Sequence, residues 1–466
     1  MNRREFIGGA AALSLVGWRK AARAAGYPDY YAEQFASAAD RVRRLSKTCP
    51  FGFWFLTDLH IPSNRLNSGG LLSAFVKETP LTTVLCGGDL PEAFRFKFPT
   101  DRAAVDFAVE TYRERWVAPI RAAGGKVYTA RGNHDFTVCT APDVKTGFTY
   151  DGAKTRRWVV GEFSERSVVT NAADPEGCYY CFDDAAARVR TVVVDTTDGQ
   201  KAGDVAWGVE YGIRETQMKW LARTALLGVP DGWGVVLVHH VPVAGFVGTP
   251  FEVERYAEFR RMLEFYQARR PFDCGGERFD FSRAGGRILV DLTGHHHCER
   301  QTFLNGILHV TEPCDVAYDD YRIGSQPRQW DLQKKDWGSP FEQTFDAVQF
   351  DVAGGRVHFT RVGGGANRVM CLRPLVVRVG EKVRLKAAEI AGDVRWLCHD
   401  ADRHSTKPNP ESRYVKLVVC HNDYATVTPD GMFEARAVGP VMAVAYLPTG
   451  EREIVPVTVV DCGPHE

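Results

Sequence analysis

Phe51-Gly52-Phe53-Trp54-Phe55-Leu56-Thr57-Asp58-Leu59-His60 passes from a short aromatic run into an acid and a histidine. Such a run, bounded by glycine, reads as a buried strand, so Asp58 and His60 stand where that strand ends. Four other places repeat the arrangement. Thr83-Val84-Leu85 precedes Gly88-Asp89, and Lys126-Val127-Tyr128-Thr129 precedes Gly132-Asn133-His134-Asp135. Val235-Val236-Leu237-Val238 precedes His239-His240, and Arg287-Ile288-Leu289-Val290-Asp291-Leu292 precedes Gly294-His295-His296-His297. In open α/β sheets, ligands bind in the crevice beyond the carboxyl ends of the strands, so clusters far apart in the chain can converge there. These five hold seven of the 13 histidines, a concentration that points to metal ligation.

Between the clusters the apolar spacing turns helical. Tyr31 to Leu45, Ala103 to Ala122, Glu215 to Leu227 and Phe251 to Arg269 each repeat at three and four residues. Strand-like runs recur at Cys178 to Phe182, Val189 to Asp195, Phe345 to Phe350 and Val357 to Val362, the last two joined by Gly354-Gly355. Alternation of this kind predicts a layered α/β sandwich over residues 51–365, preceded by a helical extension over 25–50. Gly363-Gly364-Gly365-Ala366-Asn367 reads as a linker. Beyond it, over 372–462, helical spacing stops and short strands with turn signals follow: Val376 to Leu385, Val394 to Leu397, Val415 to Val419, Ala425 to Val427, Phe433 to Ala435, Val441 to Tyr446 and Ile454 to Val460. That pattern predicts a small all-β sandwich. The stretch Ala425 to Gly439 resembles bacterial Ig-like modules of group 2.

At 466 residues the chain is long for one domain. Its 58 basic and 58 acidic residues cancel, which leaves no global field for nucleic acid or an anionic membrane. The first residues, Met1-Asn2-Arg3-Arg4-Glu5-Phe6-Ile7, lead through a Gly/Ala-rich stretch to Ala22-Arg23-Ala24. Residues 1–24 resemble a twin-arginine signal peptide, which implies export of a folded, metal-loaded protein to an oxidising, periplasmic compartment. No segment is apolar for long enough to span a membrane. The 12 cysteines are scattered and define no connectivity. Cys178 and Cys181, three apart in a strand-like run, point to opposite faces and read as packing rather than as a metal or redox pair.

The ordered set D-x-H, G-D, G-N-H-D, His-His and G-H-x-H resembles the calcineurin-like metallophosphoesterase superfamily, with a family-like Gln217-Met218-Lys219-Trp220-Leu221 before the fourth cluster. The resemblance implies that Asp58, His60, Asp89 and His297 hold one metal ion and Asp89, Asn133, His239 and His295 a second, with Asp89 bridging. Two carboxylates, an amide and four imidazoles suit manganese, iron or zinc better than calcium or magnesium. Against two divalent ions the carboxylates leave about +2, which attracts a phosphate ester. The implied reaction is hydrolysis of a phosphomonoester or phosphodiester by a hydroxide shared between the metals, with His134 assisting the leaving group. Asp135 then either orients His134 or a ligand imidazole or caps the turn at its strand end, and His240 is left for a supporting or substrate contact or for simple packing. Purple acid phosphatases, a related branch, carry a tyrosine three residues after the bridging aspartate; here that position is Glu92, and His60 is present, which disfavours a tyrosinate-ligated ferric site.

His296 reads as pointing away from its neighbours. His309, His358, His399, His404, His421 and His465 lack ligand spacing and read as ordinary strand or surface residues. Arg65, Arg95 and Arg131 lie near the clusters, with solvated surface as the default for each. Asp315 to Glu342, rich in aromatics and arginine, reads either as a lid over the crevice or as a loop packed on the C-terminal unit. The substrate expected is a small-molecule phosphate ester, with cell-envelope contact through the Ig-like unit. Two other readings use the same residues. A scaffold protein with a structural metal is disfavoured by the shared Asp89 and the non-ligand His134. A nuclease is disfavoured by the neutral charge and the lack of a basic stripe.

Overall fold

Phe51–Leu56 is buried on both faces: Phe53 and Phe55 enter one core, Trp54 and Leu56 another. Successive side chains of a strand point to opposite faces, so a strand with apolar residues on both must lie between two layers. The computed structural model describes residues 27–91, 101–135, 152–198, 212–243, 256–317, 322–323, 333–409 and 412–461. It stacks helices, a sheet, a second sheet and further helices. The signal-like residues 1–24, Arg95, Glu92 and His465 lie outside the described residues, as do 318–321 and 324–332 of the expected lid.

At the heart of the first sheet, Phe51–Leu56, Thr83–Cys86 and Lys126–Thr129 run parallel. On the other side of Phe51–Leu56 comes the expected hairpin, Thr344–Asp351 and Arg356–Gly363, antiparallel with Phe53 opposite Val348. The outer face is covered by Ala32–Leu45, Asn67–Glu78 and the helical stretch from Asp101 to Ala122. Phe35, Ala38, Ala39 and Val42 form the buried stripe of Ala32–Leu45, and the Phe35 ring stacks on Phe75 at 4.2 Å. Burying each large side chain of this stripe contributes about 1.5–3 kcal/mol, which anchors the helix beneath the sheet. The helix Asn67–Glu78, glycine- and serine-rich at its start, is not among the helices expected from the apolar spacing.

The second sheet is also parallel at its centre, with Val189–Val193, Gly234–Val238, Arg287–Thr293 and Ile307–Thr311 side by side. Its inner face meets the first sheet through Val236, Val238, Val290 and Leu292 against Phe53, Phe55 and Leu85. Its outer face packs on Glu215–Trp220 with its continuation to Leu226, and on Tyr256–Gln267. Cys178 lies in the core between the sheets and Cys181 in the outer core, so the pair faces opposite ways as expected. Among the described residues all ten cysteines are free thiols, and no helix is long and apolar enough to cross a membrane.

The expected linker is not one. After Gly363 the chain turns at once into a strand, Arg368–Cys371, which pairs antiparallel with Arg356–Gly363 and parallel with Arg452–Val460. Gly439–Tyr446 and Arg395–Asp400 follow, so one sheet of ten strands, among the described residues, runs from the first cluster into the C-terminal region. Gly363 has φ 93, and a Cβ there would lie 1.7 Å from the Gln343 carbonyl oxygen. Glycine is required because the backbone folds against its neighbour, not because the chain is loose. Met442, Val444 and Ile454 complete the core between the two main sheets. On the other face of these strands, Val441, Ala443 and Trp396 pack against Phe433 of a three-stranded sheet, Lys382–Arg384, Met432–Ala435 and Ala425–Val427. Val376 to Leu385, expected as one strand, is two, Leu375–Arg378 and Lys382–Arg384, separated by Gly380 at φ 87.

Candidate metal centre

Both sheets present the carboxyl ends of their parallel strands on the same side, and the polar clusters meet there. Asp58 Oδ1 lies 3.0 Å from His297 Nε2 and 3.6 Å from His60 Nε2, and the two imidazole nitrogens are 3.0 Å apart. Asp89 Oδ2 lies 3.0 Å from His240 Nε2 and 3.8 Å from His134 Nε2. The Asn133 side-chain oxygen is 2.9 Å from His295 Nδ1. Three groups result, each with ligand atoms within 4.8 Å of one another: Asp58, His60 and His297; His60, Asp89 and His134; Asp89, His240 and His295. They overlap through His60 and Asp89. Imidazole nitrogens and carboxylate oxygens at this density are a donor set that fits divalent metal ions.

Backbone conformation brings the donors inward. Nine non-glycine residues among those described have positive φ, and five of them are Asp58, His60, Asp89, His295 and His297. The left-handed region costs about 1–2 kcal/mol per residue, and such strain concentrates at functional sites. Close backbone approach supplies the rest. A Cβ on Gly132 would fall 2.1 Å from Asp89 Oδ1, and one on Gly294 would fall 2.1 Å from Thr57 Oγ1 and 2.4 Å from Asp58 Oδ2. These glycines let the turns close on the carboxylates.

Each carboxylate is also held by donors. Asp58 Oδ2 accepts from Thr57 Oγ1 at 2.7 Å and from the His295 N–H at 3.0 Å, and Asp89 Oδ1 accepts from the His134 N–H at 2.8 Å. Asp135 accepts from three backbone N–H groups, those of Asp89, Leu90 and Gly132. It ties the second cluster to the third through the main chain, which fits the turn-capping reading of Asp135 rather than the imidazole-orienting one. Burial, reinforced by Asp89, pushes Asp135 up to about 7. Burial raises Asp58 too, but the His240 and His297 imidazoles outweigh it and hold Asp58 well below the usual carboxylate range. His240 is lowered by burial and raised further by Asp89 and Asp58, ending at about 9. Burial and the nearby His240 bring His295 down to about 3, which keeps the ring neutral, the form in which one nitrogen can ligate a cation.

In the fourth cluster the structure brings His240, and not the expected His239, to the other donors. His239 Nε2 lies 2.6 Å from Asp291 Oδ1, its Nδ1 is 2.9 Å from the Val241 carbonyl oxygen, and it joins none of the three groups. Strand parity explains this. Val236 and Val238 face the core between the sheets while Val235 and Leu237 face the outer helices, so His240 continues the inner row and His239 the outer. His240 is anchored by Nδ1 at 2.9 Å from the Gly87 carbonyl oxygen. His309, read as an ordinary strand residue, is buried with Nδ1 2.7 Å from Asp291 Oδ2, so Asp291 carries two imidazoles outside the centre. Arg131 is not solvated surface: it is buried and donates to Asp195 Oδ2 at 2.9 Å. Arg65 is exposed, with its guanidinium 4.7 Å above the Trp337 ring. His296 stays outside the three groups.

Acids and histidines gathered at the shared strand ends of a two-sheet sandwich define a metal-dependent hydrolase. Residues 51–299, just over half of the chain, match the family model of the calcineurin-like phosphoesterases, and the chain belongs to that family. A search among curated proteins finds no match. The match begins at the first residue of Phe51–Leu56 and ends just past His297, so it spans every cluster described above. Metal-dependent hydrolysis of phosphoesters follows as the general activity.

Proposed function

We propose that the protein hydrolyses small-molecule phosphate esters with two divalent cations, manganese, iron or zinc. Asp89 carries this reading, because it groups with His60 on one side and with His240 and His295 on the other, the place of a ligand shared by a metal pair. Asp58, His60, His297 and Asp89 would hold one cation, and Asp89, Asn133, His240 and His295 the other. Such a pair, when bound, supplies a water of lowered pKa and neutralises charge on the phosphoryl oxygens. His134 acts as the proton donor. Its ring is 14% exposed whereas the Asp89 beside it is 1% exposed, so it faces the open side, and its N–H bond to Asp89 fixes its turn. A hydrogen bond from it to the leaving oxygen would offset the charge that develops there.

Residues 372–462 are proposed to form an Ig-like unit, and residues 1–24 to direct export to the periplasm. The alternating short strands support the first, and Arg3-Arg4 ahead of an apolar stretch supports the second. Metal analysis of the purified chain, with rates on aryl monoesters, aryl diesters, cyclic nucleotides and head-group diesters, tests the activity and sorts monoester from diester preference. Full activity in Asp89→Ala would sink the two-metal assignment.

A further inference from the structure

Two residues beyond the ligand His297, Glu299 is buried at the meeting point of three arginines. Its Oε2 accepts from Arg361 Nη2 at 2.8 Å and lies 3.3 Å from Arg368 Nη1, and its Oε1 pairs with Arg452 Nη2. Glu312 and Asp346 complete the cluster: Arg361 Nη2 reaches Glu312 Oε2 at 3.0 Å and Asp346 Oδ2 at 2.9 Å, and Arg368 contacts both acids. Three arginines and three acids thus meet out of water. Each acid belongs to the framework of the centre. Glu299 follows the ligand loop, and Asp346 sits opposite Phe55 of the strand that delivers Asp58. The Glu312 N–H donates to the Thr293 carbonyl oxygen at 2.9 Å, just before the loop begins. All three arginines come from beyond the family match; Arg368 opens Arg368–Cys371, Arg452 opens Arg452–Val460, and these two are register partners.

We infer that Arg368 and Arg452 are positioning residues for the ligand loop Gly294 to Glu299. By gripping Glu299 from the C-terminal strands they hold His295 and His297 at the separation from Asp58 and Asp89 that a cation requires, so metal affinity is set partly from outside the phosphoesterase region. Both ligands sit in left-handed backbone, at φ 71 and φ 56. A loop in that conformation persists only when its surroundings over-determine it. The arginines supply such a constraint, since they hold Glu299 by both oxygens, Oε2 by Arg361 and Arg368 and Oε1 by Arg452. The inference rests on the two-cation reading proposed above.

The test is a chelator-competition titration of manganese into the full-length chain, carried out on wild type, Arg452→Met, Arg452→Lys and Glu299→Gln. The visible spectrum of the cobalt-loaded proteins is recorded alongside as a report on ligand geometry. Arg452→Met and Glu299→Gln should weaken binding of one cation by about 10- to 100-fold, the usual effect of losing a ligand's supporting partner, and alter the cobalt spectrum. Arg452→Lys should fall between them and wild type. If Arg452→Met does not fold, Glu299→Gln and Arg452→Lys decide, because both keep the volume of the cluster. Folded variants with wild-type affinity and an unchanged cobalt spectrum would overturn the inference while leaving the metal centre standing. A wild-type chain that takes up no divalent cation would overturn the centre and the inference together.

Discussion

Asp89 and His240 meet across the gap between the two sheets, Oδ2 to Nε2 at 3.0 Å, while His239, one residue away, turns to Asp291 on the far side of its strand. The pair should therefore separate cleanly in mutants. His240→Ala is expected to lose one of the two cations and nearly all turnover, by metal analysis and steady-state assay. His239→Ala should keep both cations and cost stability instead, on the order of 1–3 kcal/mol, because it leaves the buried Asp291 carboxylate short of a partner. The reverse pattern would return the ligand to His239.

His134 lies in the middle ligand group, yet is proposed to move a proton rather than bind a cation. His134→Ala should leave metal content at the wild-type value and reduce kcat by about 10²–10⁴ on esters with poor leaving groups. On a good leaving group such as a nitrophenolate the loss should shrink. A fall in metal content parallel to the fall in rate would make His134 a ligand.

Much of the framework is legible in the amino-acid sequence alone. The five runs ending in polar clusters are five parallel strands, because aromatic and β-branched residues bounded by glycine have few other uses. What the sequence does not supply is which face of Gly234–Val238 lies inward. Val235, Val236, Leu237 and Val238 are apolar on both faces, so parity alone does not choose between His239 and His240; only the opposing Phe53 and Phe55 do. The linker reading of Gly363 to Asn367 fails for a related reason: a glycine needed for close approach and a glycine in a loose tether look alike in one dimension. Arg368 and Arg452 likewise resemble surface charges, since their counter-ions Glu299, Glu312 and Asp346 lie in distant segments.

Two glycines at the clusters are tight enough to test. Gly294→Ala would put a Cβ within 2.4 Å of Asp58 Oδ2, and Gly132→Ala would put one within 2.1 Å of Asp89 Oδ1. Each carboxylate must then move, so metal content should drop by at least half while the circular dichroism spectrum stays near wild type. Gly161→Ala, on a helix with nothing within 4 Å of the added Cβ, is the control and should bind metal normally.

Removing the metal should expose the charge on His240. Burial lowers its pKa, but Asp89 and Asp58 raise it more, to about 9 against an ordinary 6.5. A raised histidine stabilises the metal-free fold fully below pH 6.5, and that stabilisation is lost as pH rises through about 9. Chelated protein should therefore lose thermal stability between neutral pH and pH 9, and the loaded protein should not. Cation uptake at pH 7 should release about one proton, since a ligand imidazole must be neutral. Calorimetry in two buffers of different ionisation enthalpy reads that proton directly, and uptake without release would contradict the assignment of His240.

Deleting everything after Gly365 would be harmless if the C-terminal strands formed a tethered module, but the continuous sheet argues otherwise. The cut strips Arg368–Cys371 from Arg356–Gly363 and leaves that strand's edge unpaired. Met370, Met442, Val444 and Ile454 leave the core between the main sheets, and burial of each such side chain is worth about 1.5–3 kcal/mol. Glu299, Glu312 and Asp346 would keep Arg361 as their only partner from the cluster. Breaking one buried pair alone costs about 3–5 kcal/mol, and the whole stability of a domain is about 5–15 kcal/mol. The truncated chain should therefore be insoluble or lack a cooperative thermal transition. A soluble 1–365 fragment that binds two cations with wild-type affinity would show that the ligand loop holds its geometry without the C-terminal arginines.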